Sequence, residues 1–564
     1  MKLYFEAYPY RVDLLSKNLS SHFYTEVVPE VSGTISYVGY YFNADSTDPS
    51  NSDSVFILPK VFLDEHNRPF GIEGLAPEDL IDLESSDILD QYGIKDFVFG
   101  LSTWLYRAIN VFTQRNQGSE ITETALIQNV VSNKGDASTT YLDVILQLLK
   151  FNHQHKNLFT YISIINNSGN KKINWNKTIS KTTPIAYGNK PFYTSFYTKD
   201  KCINYDEELI VIYYSTLDYL RKKYSFKVSY DLNYPLIPSR KIASMIESGK
   251  GTRRLKQIRH KYFTDELVSL WHLLYTFYER SESVLQRRYH NEELLVRNFN
   301  IVFEDMIDYL IGEDTNSIPS ELKYQVDGKR VDHIYSDTSL LPTFPENIYF
   351  IGDSKYYKTG HALQGESIYK QYTYARNVIQ YNIDNLLDSI ETDFFYRDPL
   401  TEGYNVTPNF FIRGVVDNDT RKYSYASPDI EQSQQQIKPN KHFNDRLFDR
   451  DTLIVQSYNI NFLYVLSIYA SHSNSEYKDA IKSMFRKDLI NTLNEQYTFY
   501  KVYPNSEIET FVDKFFRRLI GKMFRTSKGD SYLWLAFEKD SRTEEGDLRA
   551  IREYSTYEKC FLKI

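Results

Sequence analysis

Two apolar segments of this chain each carry an acid at a strand-like position, a residue able to do acid–base or metal chemistry. One is Arg330-Val331-Asp332-His333-Ile334. The other, after a loop, is Ile348-Tyr349-Phe350-Ile351-Gly352-Asp353-Ser354-Lys355. Side chains alternate along a strand, so Asp353 and Lys355 share one face with Tyr349 and Ile351, while Ser354 and Phe350 point the other way. Carboxylates hold a hard cation, and an ammonium beside them steers a water or stabilises a developing anion. The set therefore suits metal-assisted hydrolysis of a phosphodiester. An acid-x-lysine triplet by itself is common on exposed strand edges. Here it closes an apolar run that reads as a buried strand, and an acid at the end of a buried strand needs a reason.

The flanking segments would position these residues. Upstream, Asn291 to Met306 reads as one helix, with Leu295, Phe299, Val302, Met306 and Leu310 as its buried stripe and Glu304 beside it. Downstream, Glu366 to Arg376 reads as the helix after the acid-x-lysine strand, where Gln371 and Tyr374 are neighbours three residues apart. Helix, acid strand, acid-x-lysine strand, helix is the order of the core of the PD-(D/E)XK nuclease superfamily, which this block resembles. Asp332 matches its first acid, with Val331 in place of the usual proline, and Asp353-Ser354-Lys355 matches its second half. The resemblance implies magnesium, with manganese as a substitute, held by Asp332 and Asp353. Glu304 would be an outer ligand and the Ser354 carbonyl a further oxygen. Lys355 would place the attacking water, and Gln371 and Tyr374 would support the site.

Shorter motifs narrow the likeness. Phe56 to Phe62, Lys172 to Ile179, the nuclease block and Arg446 to Leu453 fall in the order of the LlaJI-type restriction endonuclease family. That family is itself similar to McrC, the nuclease subunit of modification-dependent restriction systems. The match runs from the first strands to about residue 470. It implies a restriction or phage-defence subunit that cuts double-stranded DNA beside an McrB-like AAA+ NTPase. The N-terminal region would meet that motor. The alternative is a catalytically inactive DNA-binding or NTPase-activating subunit on the same scaffold, which the intact acid-x-lysine set argues against.

Composition frames this reading. With 564 residues the chain can form several domains, and a net charge of −8 means that positive potential for DNA must be gathered locally. Lys250 to Lys261 carries six basic residues and no acid. Arg253, Arg254, Lys256, Arg259 and Lys261 are therefore candidates for phosphate contacts. Gly249-Lys250 does not make a phosphate-binding loop, because Ser244 stands at the first glycine position and Gly251 where Ser or Thr would hold magnesium. His153 and His155, two histidines read on a polar loop, are expected to be solvated rather than zinc-bound. Two distant cysteines, Cys202 and Cys560, fit a reducing compartment, and the start of the chain is not a signal peptide. No apolar run is long enough to span a membrane, so a cytoplasmic protein is expected, with a homo-oligomer among its expected states.

The expected architecture is multidomain α/β. Residues 1–88 are a β-rich region with a long-looped hairpin, 89–238 a mixed α/β region, and 239–290 a basic helical region. Residues 291–400 are the nuclease core, a mixed central sheet flanked by helices, and 401–564 a further α/β extension. Helices are expected over 95–112, 139–151 and 205–224, and amphipathic helices over about 475–499 and 506–525. Short strands are expected in 171–197 and a loop at 431–436.

Overall fold

The computed structural model describes residues 2–27, 32–43, 53–82, 94–116, 127–130, 141–155, 158–167, 171–224, 228, 233–285, 292–312, 318–323, 330–341, 347–360, 365–386, 394–416, 429–432, 437–440, 445–471 and 477–563. The fold is mixed α/β and built on several sheets. Among the described residues no helix is long and apolar enough to cross a membrane.

The sheet that carries the acid-x-lysine triplet orders its strands as His333–Thr338, Asn347–Lys355, Asn409–Val415 and Leu453–Asn461, with Glu431–Gln432 and Ile437–Asn440 both on the last. The first pair is antiparallel and the next two are parallel. Both faces are covered, which is why these strands read as nearly continuous apolar runs. On one face Tyr335 stacks on Phe350, with ring centroids 5.2 Å apart. There Phe410 and Tyr458 meet Phe485 of helix Lys478–Gln496, and helix Phe299–Ile311 completes the layer. On the other face Ile334, Ile351, Phe411 and Val455 pack with Tyr372, Tyr374, Ala375 and Val378 of helix Gly365–Leu386.

The helix expected over 291–306 divides in two. Glu292–Val296 is a strand and the helix begins at Phe299. Leu294-Leu295-Val296 is a short apolar run that buries both faces, and Asn298 interrupts it before the helical stripe of Phe299, Val302, Met306 and Leu310. Leu295 belongs instead to a separate core with Tyr41 and Val55. The strand lies between Val38–Asn43 and Ile127–Val130 in a five-stranded sheet, whose remaining members are Asp53–Leu58 and Lys2–Phe5. The long-looped hairpin is formed by Val38–Asn43 and Asp53–Leu58, while Ser32–Ile35 pairs in a small sheet of its own. Helix Ile94–Arg115 packs on the five-stranded sheet, with Tyr106 edge-on to Tyr40.

The other expected helices are observed as Tyr141–Gln154, Glu208–Tyr224, Lys478–Gln496 and Ile508–Leu519. Segment 171–197 holds short strands, but also a helix, Trp175–Lys181, started by Asn174 accepting from the Lys177 N–H. Glu431–Gln432 is a strand rather than loop; residues 433–436, and most of 114–138, lie outside the described residues.

Candidate active site

Strand pairing brings the two acids together. His333 pairs with Gly352 and Ile334 with Ile351. Continued by one residue, this register sets Asp332 opposite Asp353, on the face covered by helix Gly365–Leu386. The Ser354 N–H donates to Asp332 Oδ2 at 3.3 Å. A Cβ at Gly352 would lie 2.1 Å from the Phe410 ring, so only glycine lets the strand pass there on its way to Asp353.

Asp353 is 2 % exposed, and neither of its carboxylate oxygens meets an aligned hydrogen-bond donor among the described residues. Its charge is met by two ammonium groups. That of Lys355 lies against Oδ2, as a charge contact rather than an aligned hydrogen bond, and that of Lys370 is 4.0 Å from Oδ1. Burial, then the charges of Glu304 and Asp353, push the Asp332 carboxyl well above the usual range. Burial and then Asp353 also raise the Glu304 carboxyl, on helix Phe299–Ile311. Burial pulls the Lys370 ammonium down, but Asp332 and Asp353 outweigh it and hold it above its ordinary value. Three carboxylates therefore feel one another in a space with two lysines.

Helix Gly365–Leu386 supports the strand as well as covering it. Gln371, buried, donates from Nε2 to the Ile351 carbonyl at 3.3 Å and to Asn409 Oδ1 at 3.2 Å, tying the acid-x-lysine strand to its parallel neighbour. Tyr374 is also buried, and its ring lies 5.3 Å below the Lys370 ammonium. Lys370 was not singled out from the sequence. The available signal was its place four residues before Tyr374 and one before Gln371, on a helix already assigned to the site.

The opposite face of the strand carries a second polar line, also unread in the sequence. His333 Nε2 meets the Ser354 hydroxyl, His333 Nδ1 faces Asp308 Oδ1 at 3.4 Å, and Lys323 Nζ is 2.5 Å from Asp308 Oδ2. Burial opposes the Asp308 charge, but His333 and Lys323 prevail and bring its pKa down to about 2. Burial lowers the His333 pKa and favours the neutral ring, which then donates to Asp308 and accepts from Ser354. The line fixes Ser354 between the two charged residues of the triplet.

The five basic candidates are partly engaged within the chain. Arg254 and Lys261 pair with Glu208, and Arg253 donates to the Ser248 and Gly249 carbonyls. The Lys256 ammonium lies over Tyr275 and the Arg259 guanidinium over Trp271. Helix Lys250–Ile258 follows helix Ser239–Glu247 and not a strand, in keeping with the absence of a phosphate-binding loop there. His155 stacks on Phe151 at the end of its helix.

The donor set at Asp332, Asp353 and Glu304 consists of oxygens only, which matches magnesium or manganese. The burial of Asp353 and the mutual repulsion of the acids are the features a divalent cation would relieve. Among the described residues, however, no group of three or more His, Cys, Asp or Glu side chains is arranged as a ready metal cage.

No family model matches the chain, and no curated protein does. Among solved structures, the chain is similar to one from a half-complex of a tetradecameric assembly of Thermococcus gammatolerans McrB AAA+ hexamers with bound McrC. The identity is 12 %, the coverage 87 % of this chain and 99 % of that one, and the TM-score 0.29. A chain of the Thermococcus gammatolerans McrBC complex is 12 % identical, over 56 % of this chain and 90 % of that one, with a TM-score of 0.16. Likeness at this level carries no argument about function.

Proposed function

We propose that this protein is a metal-dependent DNA endonuclease with a PD-(D/E)XK core, acting as the nuclease subunit of a restriction or phage-defence system. The observation that carries the reading is the Asp332–Asp353 pair, Asp332 one residue before its strand and opposite Asp353 on the next, with Lys355 on the same face and the charge of Glu304 felt by both acids. Asp332 and Asp353 would hold the cation, with Glu304 in an outer position. When bound, the cation would polarise the scissile phosphate and neutralise charge as the bond breaks. Lys355 would orient the attacking water and stabilise the developing anion. Lys370 would add a positive charge facing the phosphate, and Gln371 would keep the strand in register.

The same reading includes an McrB-like AAA+ partner, on the strength of the ordered motifs described above. Double-stranded DNA is the substrate in this proposal. Arg253, Arg254, Lys256, Arg259 and Lys261 would use the donors left by their local bonds to meet its backbone.

The deciding experiment is cleavage of supercoiled plasmid with magnesium or manganese by the wild-type protein and by Asp353→Ala and Lys355→Ala. Cutting by the wild type alone supports the nuclease. Equal cutting by all three would point to a contaminating activity. No cutting by any, with or without an AAA+ partner, would favour an inactive DNA-binding or motor-activating subunit.

A further inference from the structure

We propose that Tyr356 and Glu6 form a buried joint that positions Lys355 and couples it to the N-terminal sheet, an inference that rests on the nuclease reading. Tyr356 directly follows Lys355 where the acid-x-lysine strand ends. Its hydroxyl donates to Glu6 Oε2. The Lys60 N–H lies 3.1 Å from both Glu6 Oε2 and the Tyr356 hydroxyl, and the Lys60 ammonium sits 4.7 Å above the tyrosine ring. Glu6 and Tyr356 are both buried. Glu6 follows strand Lys2–Phe5, and Lys60 follows strand Asp53–Leu58, so two strands of the N-terminal sheet end on this one tyrosine.

The same ring touches the other side of the candidate site. Its centroid is 5.5 Å from that of Phe299 and 6.1 Å from that of Phe303, both on the helix that carries Glu304. Beyond Tyr356 the chain is stitched to the N-terminal region again. Lys358 donates to the Ala7 carbonyl and to Asn67. The Thr359 N–H donates to the Leu63 carbonyl at 3.0 Å, and its hydroxyl to the Val61 carbonyl at 2.9 Å.

Burying a carboxylate is costly unless its hydrogen bonds are met. Here they are met by the residue after the water-steering lysine and by the backbone that follows the N-terminal hairpin. The joint therefore fixes where the strand ends, and so where the Lys355 ammonium falls relative to Asp353. A force on the N-terminal sheet, such as docking of a motor, would reach Lys355 through the chain and Glu304 through Phe299 and Phe303. Tyr356 is a positioning residue in this scheme, since it acts through its neighbour.

The test uses the full chain with Tyr356→Phe, which removes only the hydroxyl, with Glu6→Gln, and with both. Plasmid cleavage at saturating magnesium should fall about 10- to 100-fold in kcat, the scale of a small misplacement of a reacting group, with KM for DNA unchanged. The double variant should be no slower than the slower single one. Amide hydrogen exchange should quicken in peptides spanning 351–359 and 2–6. Should Glu6→Gln fail to fold, Thr359→Val removes one bond of the same seam and should act in the same direction. Unchanged kcat in a cutting enzyme, or unchanged exchange at 351–359, would overturn the joint. If the wild type does not cut DNA at all, alone or with an AAA+ partner, the nuclease reading fails, and the exchange measurement still decides whether the joint ties the two regions together.

Discussion

Asp308→Asn should destabilise the protein by an amount set by its ionisation, and the loss should disappear in acid. The ordinary value for this carboxyl is 3.8, and His333 and Lys323 hold it at about 2 against the cost of burial. A shift of that size corresponds to about 2.5 kcal/mol. The folded pKa lies below the unfolded one, so the contribution is fully present above about pH 4 and is lost as pH falls through the folded value. Asparagine cannot carry the charge, and it leaves the buried Lys323 ammonium, 2.5 Å from Asp308 Oδ2, with a weaker partner. The stability difference from wild type should therefore be about 2.5 kcal/mol between pH 6 and 8 and shrink steadily below pH 4. Urea unfolding monitored across that range is the assay, with hydrogen exchange in helix Phe299–Ile311 as a local check. Cleavage should fall too, because an asparagine carboxamide no longer dictates which His333 nitrogen carries the proton, and Ser354 loses a fixed acceptor. A difference that stays constant from pH 8 to pH 3 would refute the argument, since it would show that the pairing contributes shape and not charge.

Asp332→Asn should raise the melting temperature of metal-free protein at pH 8. Its folded pKa is elevated, so wild type loses stability as pH rises, and the neutral amide removes that slope; a lower melting temperature in EDTA would contradict this. Divalent cation at a hundredfold excess over its dissociation constant should stabilise wild type and Lys355→Ala by about 2.7 kcal/mol. The same addition should leave Asp353→Ala almost unmoved, and a full metal response from Asp353→Ala would exclude it as a ligand. Lys370→Gln should slow cutting while leaving the metal response intact, which single-turnover kinetics would check. Isolated protein should cut poorly and without site choice, and an AAA+ partner with GTP or ATP should raise both rate and specificity. Efficient cutting of a defined sequence without nucleotide would argue for a self-contained enzyme.

What could be read from the sequence follows from how local each signal is. The strand positions of Asp353 and Lys355 follow from a period of two in an apolar run, and the observed strand Asn347–Lys355 keeps it. Asp332 sits one residue before its strand, so its place opposite Asp353 depends on a register that no single segment encodes. Glu304 could be named because Phe299, Val302 and Met306 mark the buried side of its helix. Lys370 had only its place beside Gln371 as a signal, because a lysine on a helix surface looks the same whether or not two carboxylates wait across the gap. His333 and Asp308 were missed for a related reason: they are 25 residues apart and meet only when the helix is laid on the sheet. The division at Asn298 was misread because Leu295 falls on the helical stripe by coincidence of spacing, while strand pairing on both sides decides its conformation.

The strand Glu292–Val296 has a consequence for how the chain is made. It fills the gap between Val38–Asn43 and Ile127–Val130, so the sheet begun by the first residues stays open until nearly three hundred have been synthesised. Contacts of such long sequence separation are slow to form, and an unpaired apolar edge invites association while it waits. A ribosome-bound fragment ending before residue 292 should thus expose the edges of Val38–Asn43 and Ile127–Val130 and depend on a chaperone. Release of the completed helix Phe299–Ile311 would follow closure of the sheet almost at once, since only Arg297 and Asn298 separate them. The candidate site would then be assembled only after the N-terminal scaffold is already closed.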